Sequence, residues 1–287
     1  MVPRSRAVVT GLNVEQPASR IIKSSDPVGV RLQRVSMNRL LLILTALLAS
    51  GCKVFFPAPT TMASAFDPLP GTKQARCLMV LLPGAGDHAQ TFRKEGFVEA
   101  IQNSGASVDV VAADATMGYY LRGIAPQRIE ADVVAPLRKR GYERIWIAGI
   151  SMGGFGSFHY TQFFPQHVDG ILALAPYLGD VSLGNEIREA GGLQKWTPDP
   201  PAPITEDNYQ RQMWGWLHDV VTGKQKGPTI YLGYGDQDRL GPQDALLASV
   251  LASDHVFHAP GGHDWPPWRA LLQQFLQHSE FQSSCAP

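Results

Sequence analysis

The sequence predicts an α/β protein built on a doubly wound, mostly parallel sheet. From Cys77 onward, short and continuously apolar runs alternate with longer amphipathic stretches. Strands buried on both faces, with helices covering them, read this way. The connections between the apolar runs are helix-sized, as parallel pairing requires and a hairpin does not. Right-handed crossovers then place helices on both faces of one sheet. The 287 residues, 44% of them hydrophobic, are ample for a core of that kind.

The elements follow in order. Cys77–Leu82 is a strand, 90–104 a helix, Ser107–Ala112 a strand, and Pro126–Arg140 a helix stopped by Gly141. Ile145–Ile150 is the next strand, with a tight turn at Ser151 and a helix beginning near Gly154. Strands at 170–175, 229–234 and 255–259 follow, with helices at 242–252 and 267–278. About six strands fit, and no obvious antiparallel hairpin precedes Cys77. Between 179 and 227 the alternation lapses into Pro198, Pro200, Pro201 and Pro203, with Trp196, Tyr209, Trp214 and Trp216. An insertion at the carboxyl edge of a parallel sheet lies over the ligand crevice, so this segment reads as a cap that shapes a pocket. The alternative is a surface excursion whose tryptophans serve packing alone.

The stretch before Cys77 has a different character. Residues 1–36 carry Arg4, Arg6, Arg20, Lys23, Arg31 and Arg34 against Glu15 and Asp26, with no apolar period. They read as an extension upstream of a start at Met37, or as an unstructured leader. Residues 37–51 read as an export signal, because Leu40–Ala49 is too short to span a bilayer and suits a signal core. Leu48-Ala-Ser-Gly-Cys52 resembles a bacterial lipobox, with Ala49 where leucine is commoner. The resemblance implies lipidation of Cys52 and a membrane contact through that lipid only. An ordinary signal cut near Ser50 or Gly51 is the alternative. Without residues 1–51 the chain holds 18 Lys+Arg against 23 Asp+Glu. Residues 52–71, with Pro57, Pro59, Pro68 and Pro70, read as a tether, and 72–283 as the folded domain. Cys77 and Cys285 could pair in an oxidising compartment or remain free thiols.

Chemistry concentrates at Gly149-Ile-Ser151-Met-Gly153. A serine on a tight strand-to-helix turn projects its hydroxyl away from the backbone, and flanking glycines let neighbouring chain pass close. Such a hydroxyl needs a base, and the base needs a carboxylate to orient it. Gly235-Asp236-Gln237-Asp238 follows one late strand, and Pro260-Gly-Gly-His263 follows the next. The order of elbow serine, Gly-x-x-Asp and Gly-His resembles the alpha/beta-hydrolase superfamily from about Cys77 to His278. That resemblance implies Ser151 as nucleophile, His263 as base and Asp238 as acid, with Asp236 the alternative acid. Gly262-His263-Asp264-Trp265, with Trp268, is also similar to the histidine loop of esterase-D-like and mycolyltransferase-like members. For the oxyanion, one donor would be the backbone N–H of Met152. The other would come from Pro83-Gly84-Ala85-Gly86-Asp87, similar to the family's His-Gly-x loop with proline replacing histidine. Ala85 is the expected donor and Gly86 the fallback.

Other classes lose ground. Lys+Arg and Asp+Glu balance at 25 each, without a long basic run, so nucleic acid binding has no electrostatic support. There is no HExxH, no paired CxxC and no complete dinucleotide fingerprint, so neither metal nor cofactor is implied. The expectation is a serine hydrolase, a carboxylesterase first, acting on a small-molecule ester or related acyl bond at the bacterial cell envelope. Acyl transfer, peptide hydrolysis, or a non-catalytic envelope lipoprotein are the rival readings.

Overall fold

The structure is a computed structural model that describes residues 56–287. The expected extension (1–36), export signal (37–51) and lipidation candidate Cys52 lie outside the described residues.

Seven strands form one sheet in the order β1-β3-β2-β4-β5-β6-β7. They are β1 (Ser64–Asp67), β2 (Cys77–Leu82), β3 (Val108–Ala113), β4 (Arg144–Ile150), β5 (Gly170–Leu174), β6 (Thr229–Gly235) and β7 (Val256–Ala259). All neighbours from β3 to β7 pair in parallel. Strand β1 runs antiparallel to β3, with Ser64 opposite Ala113 and Asp67 opposite Val110. This edge strand, a seventh, corrects the sequence reading, which expects about six strands and a tether over 52–71. The strand is four residues long and only Ala65 is fully buried, too short for a period-two signal to stand out between prolines.

Eleven α-helical segments occur among the described residues: α1 (Ala89–Lys94), α2 (Phe97–Gln102), α3 (Met117–Tyr120), α4 (Ala125–Ile129), α5 (Ala135–Arg138), α6 (Met152–Phe163), α7 (Val181–Glu189), α8 (Tyr209–Val221), α9 (Gly241–Ala248), α10 (Trp265–Leu276) and α11 (Ser279–Ser284). The single helix expected over 90–104 is two, because Gly96 takes a left-handed φ of 77° between them. Helices α4 and α5 are joined by a π turn over Glu130–Val134 inside the expected 126–140 helix. Helix α6 starts at Met152, two residues before the expected Gly154, directly after Ser151. No helix among the described residues is long and apolar enough to cross a membrane.

Alternation along the strands divides the core in two. On β2, Leu78, Val80 and Leu82 join the cluster under α6 and α8, while Cys77, Met79 and Leu81 join the one under α10. All six are buried, as a strand covered on both faces must be. Trp196, Trp214 and Trp216 of the insertion pack into the first cluster. The insertion is therefore partly a piece of the helical layer, with Trp214 donating to the Leu178 carbonyl at 2.8 Å. A Cys77–Cys285 disulfide ties the start of β2 to the chain end, with the Cα atoms 5.6 Å apart and both residues fully buried. The folded unit thus extends past the expected boundary at 283.

Candidate active site

Strand order fixes where a site can form. The chain passes from β2 to β3 on one side, then crosses back over β2 to β4 on the other. At such a reversal, two loops leave the carboxyl ends of adjacent strands in opposite directions and open a crevice. Here those loops are Pro83–Asp87 after β2 and the Ser151 turn after β4.

Ser151 sits at φ 53° and ψ −112°, a conformation that non-glycine residues rarely hold. Its carbonyl accepts from the Tyr177 and Phe155 amides, and its own amide donates to the Leu174 carbonyl at 2.9 Å. The turn is possible because its glycines have no side chains. A Cβ on Gly149 would lie 2.1 Å from the Gly153 carbonyl oxygen, and one on Gly153 would lie 2.0 Å from the Leu82 carbonyl oxygen.

Two loops deliver the partners. Asp238 follows β6 and His263 follows β7, and the loops are laced together by the amides of Asp236 and Gln237, which donate to the carbonyls of Ala259 and Gly261. His263 Nε2 lies 2.9 Å from Ser151 Oγ. Its Nδ1 lies 2.9 and 3.0 Å from the two oxygens of Asp238. The network is satisfied when Nδ1–H donates to Asp238 and the Ser151 hydroxyl donates to Nε2. The Asp238 carboxylate has no solvent exposure and also accepts from the Leu240 amide at 2.9 Å. Trp268 on α10 meets the His263 ring edge-on, with centroids 5.1 Å apart, and limits its rotation. Asp236, the alternative acid, is instead 57% exposed and faces His258 at 3.7 Å.

The loop expected to hold the second oxyanion donor does reach the elbow. A Cβ on Gly84 would come within 3.6 Å of Ser151 Cβ, and Gly86 turns the loop through φ 88°. Asp87 closes that turn by donating its amide to the Gly84 carbonyl. Burial raises its carboxyl above the usual range, and the charge of Glu95 raises it further, against lowering by His88 and Thr91.

One residue near the acid escapes sequence reasoning. Asp244 in α9 is fully buried and neither carboxylate oxygen has a hydrogen-bond partner. Burial pushes its carboxyl well above the ordinary value, and the Asp238 charge adds to the shift. An acid in the first turn of a helix is unremarkable in sequence, where it reads as a favourable partner of the helix dipole. Only the packing of α9 reveals it as buried.

A serine, imidazole and carboxylate joined this way, on a strained strand-to-helix turn at the sheet's switch point, are the working parts of an alpha/beta-hydrolase. Residues 127–278, just over half of the chain, match the family model named Esterase and described as "Putative esterase". The chain belongs to that family. It is 27% identical over 148 residues to an acetyl esterase of Caldicellulosiruptor saccharolyticus, covering 45% of this chain and 52% of that protein. The match thus spans about half the length of the curated relative. Among solved structures, Est1E from Butyrivibrio proteoclasticus superposes with a TM-score of 0.56 at 16% identity, over 81% of this chain and 98% of that one. S-formylglutathione hydrolase from Staphylococcus aureus gives a TM-score of 0.50 at 15% identity, over 77% and 98%. At such identities the structural likeness shows the shared fold.

Proposed function

We propose that the protein is a serine carboxylesterase that works through an acyl-enzyme on Ser151. The observation that carries this reading is the continuous hydrogen-bonded line from Ser151 Oγ through His263 to Asp238. Ser151 Oγ attacks the ester carbonyl carbon while its proton passes to His263 Nε2. Asp238 holds the imidazole in the accepting tautomer and balances the imidazolium that forms. The tetrahedral oxyanion is received by the Met152 amide, at the positive end of α6, and by the Ala85 amide, with Gly86 as fallback. Collapse breaks the bond to the alcohol oxygen, which leaves with the His263 proton. Water then attacks the acyl carbon and gives a proton to His263; collapse breaks the bond to Ser151 Oγ, which takes that proton back as the acid leaves. Membership of the esterase family and the match to an acetyl esterase support the reading.

Fluorophosphonate labelling of wild type and Ser151→Ala, beside turnover of nitrophenyl esters, tests it. Labelling and turnover that vanish with Ser151→Ala are expected. A folded wild type that neither labels nor turns over any ester would overturn the proposal.

We further propose an exported protein held at the bacterial envelope by lipid on Cys52. Leu48-Ala-Ser-Gly-Cys52 supports the anchor, and the Cys77–Cys285 disulfide supports an oxidising compartment. Palmitate incorporation that persists in Cys52→Ser would refute the anchor.

A further inference from the structure

A groove of about 550 Å³ runs along α6 from Met152, the residue after the nucleophile. Met152, Phe155, His159 and Phe163 line it and fall on one face of that helix. At 1.5 Å of rise per residue the line from Met152 to Phe163 is about 16 Å long. Two of its lining residues flank the nucleophile: Met152 follows Ser151, and the Tyr177 amide donates to the serine carbonyl. The opposite wall comes from Tyr120 and Pro126 on one side and from Ile204 and Tyr209 of the insertion on the other.

The lining is mostly apolar, with Arg122, Gln127, Thr205 and Glu206 the polar exceptions. Phe155 stacks on His159 with centroids 5.2 Å apart, and Phe163 meets the same ring edge-on at 5.2 Å. Tyr209 and Tyr120 contact Phe155 edge-on at 5.6 and 6.1 Å. Burial lowers His159 to a pKa of about 4, with Gln162 opposing the shift in part, so the ring is neutral at working pH. Four large hydrophobic side chains are exposed among the described residues, and two of them, Leu121 and Phe163, line this groove. The adjoining depression is different in kind, lined by Asp180, Glu186, Asp207 and Arg211.

Resting on the esterase reading, we propose that this groove takes an extended apolar chain of the substrate, making the enzyme selective for medium- to long-chain esters over acetates. A compact group would leave most of a 16 Å channel filled with water against aromatic walls, whereas a chain laid along α6 removes that water throughout. The chain could belong to the acid or to the alcohol, and the two are separated by assay.

One series varies the acyl group (nitrophenyl acetate, butyrate, octanoate, dodecanoate) and the other the alcohol (ethyl, octyl and dodecyl acetate). Full burial of one methylene is good for about fourfold in kcat/KM. A rise of at least about tenfold from the shortest ester to the octyl-length one is therefore expected in one series. Phe163→Asp places a carboxylate at the outer end of the groove on a side chain already 39% exposed, so the fold tolerates it. It should cut the long-to-short preference about tenfold through KM, a split that a general loss of stability would not produce. Flat or falling profiles in both series, with acetate still hydrolysed, would overturn the groove while leaving the esterase reading intact. No turnover together with no fluorophosphonate labelling would remove the esterase reading and the groove with it.

Discussion

Asp238→Asn separates the two acids that the sequence offers. The substitution keeps the volume and leaves Oδ1 able to accept from the Leu240 amide, so the buried loop stays formed. What changes is the group facing His263 Nδ1, now 2.9 to 3.0 Å from two carboxylate oxygens. An amide NH₂ at that point donates to Nδ1, which moves the ring proton to Nε2. The nitrogen facing Ser151 at 2.9 Å then carries hydrogen and cannot take the serine proton. The imidazolium of the transition state also loses its counter-charge, at a carboxylate position that solvent does not reach. Disabling the base this way costs about 10⁴ in kcat, or about 5 kcal/mol of barrier. Asp236→Asn is the matched control, because that carboxylate is 57% exposed and points to His258. It should stay within about twofold of wild type, as surface charges screened by water do. Steady-state nitrophenyl ester turnover and the fluorophosphonate labelling rate report both variants, with thermal melting as a check on folding. Asp238→Asn retaining activity within tenfold, or Asp236→Asn losing more than it does, would refute the assignment.

Further expectations follow from the same structure. Breaking the Cys77–Cys285 bond frees a loop of 208 residues, which in the chain-entropy picture costs about 5 kcal/mol at most, with losses of 2–4 typical. Cys77→Ala with Cys285→Ala should lower the melting temperature by about 10 °C, and an unchanged urea midpoint would contradict that. Asp244 has a folded-state pKa raised above its unfolded value, so the unfolded chain binds fewer protons between the two. Stability is therefore lost as pH rises from about 4 toward the raised value, and Asp244→Asn should gain more in melting temperature at pH 8 than at pH 5. Equal gains at both pH values would show that the carboxyl does not carry this strain. Gly153→Ala puts a methyl group 2.0 Å from the Leu82 carbonyl oxygen, on backbone that cannot yield locally. A loss of at least about 1–3 kcal/mol, together with loss of labelling at Ser151, should follow, and a fully active variant would mean the elbow is looser than drawn.

What could be read ahead of the structure depended on local signals. The strands after β1 announce themselves as short apolar runs because both their faces are buried, and Gly149-Ile-Ser151-Met-Gly153 is legible because the turn demands glycine at set positions. Ser151 directly follows a strand and His263 comes in the short loop after another, both relations of neighbours in sequence. Asp238 against Asp236 was harder, since both lie in one loop and alternation alone does not say which carboxylate turns inward. Strand β1 is not legible in the sequence because it is half-exposed and four residues long, and its pairing with β3 is a contact between distant segments.

The sequence by itself determined the alternating α/β architecture, the nucleophile turn and the order of the three site residues, because each is written in spacings of a few residues. Only the tertiary structure decided which aspartate faces the histidine, that Cys77 meets Cys285, that Asp244 is buried without a partner, and that one face of α6 floors a long groove. Those are meetings of segments tens to hundreds of residues apart, fixed by how helices pack on the two faces of the sheet, and no local pattern encodes them.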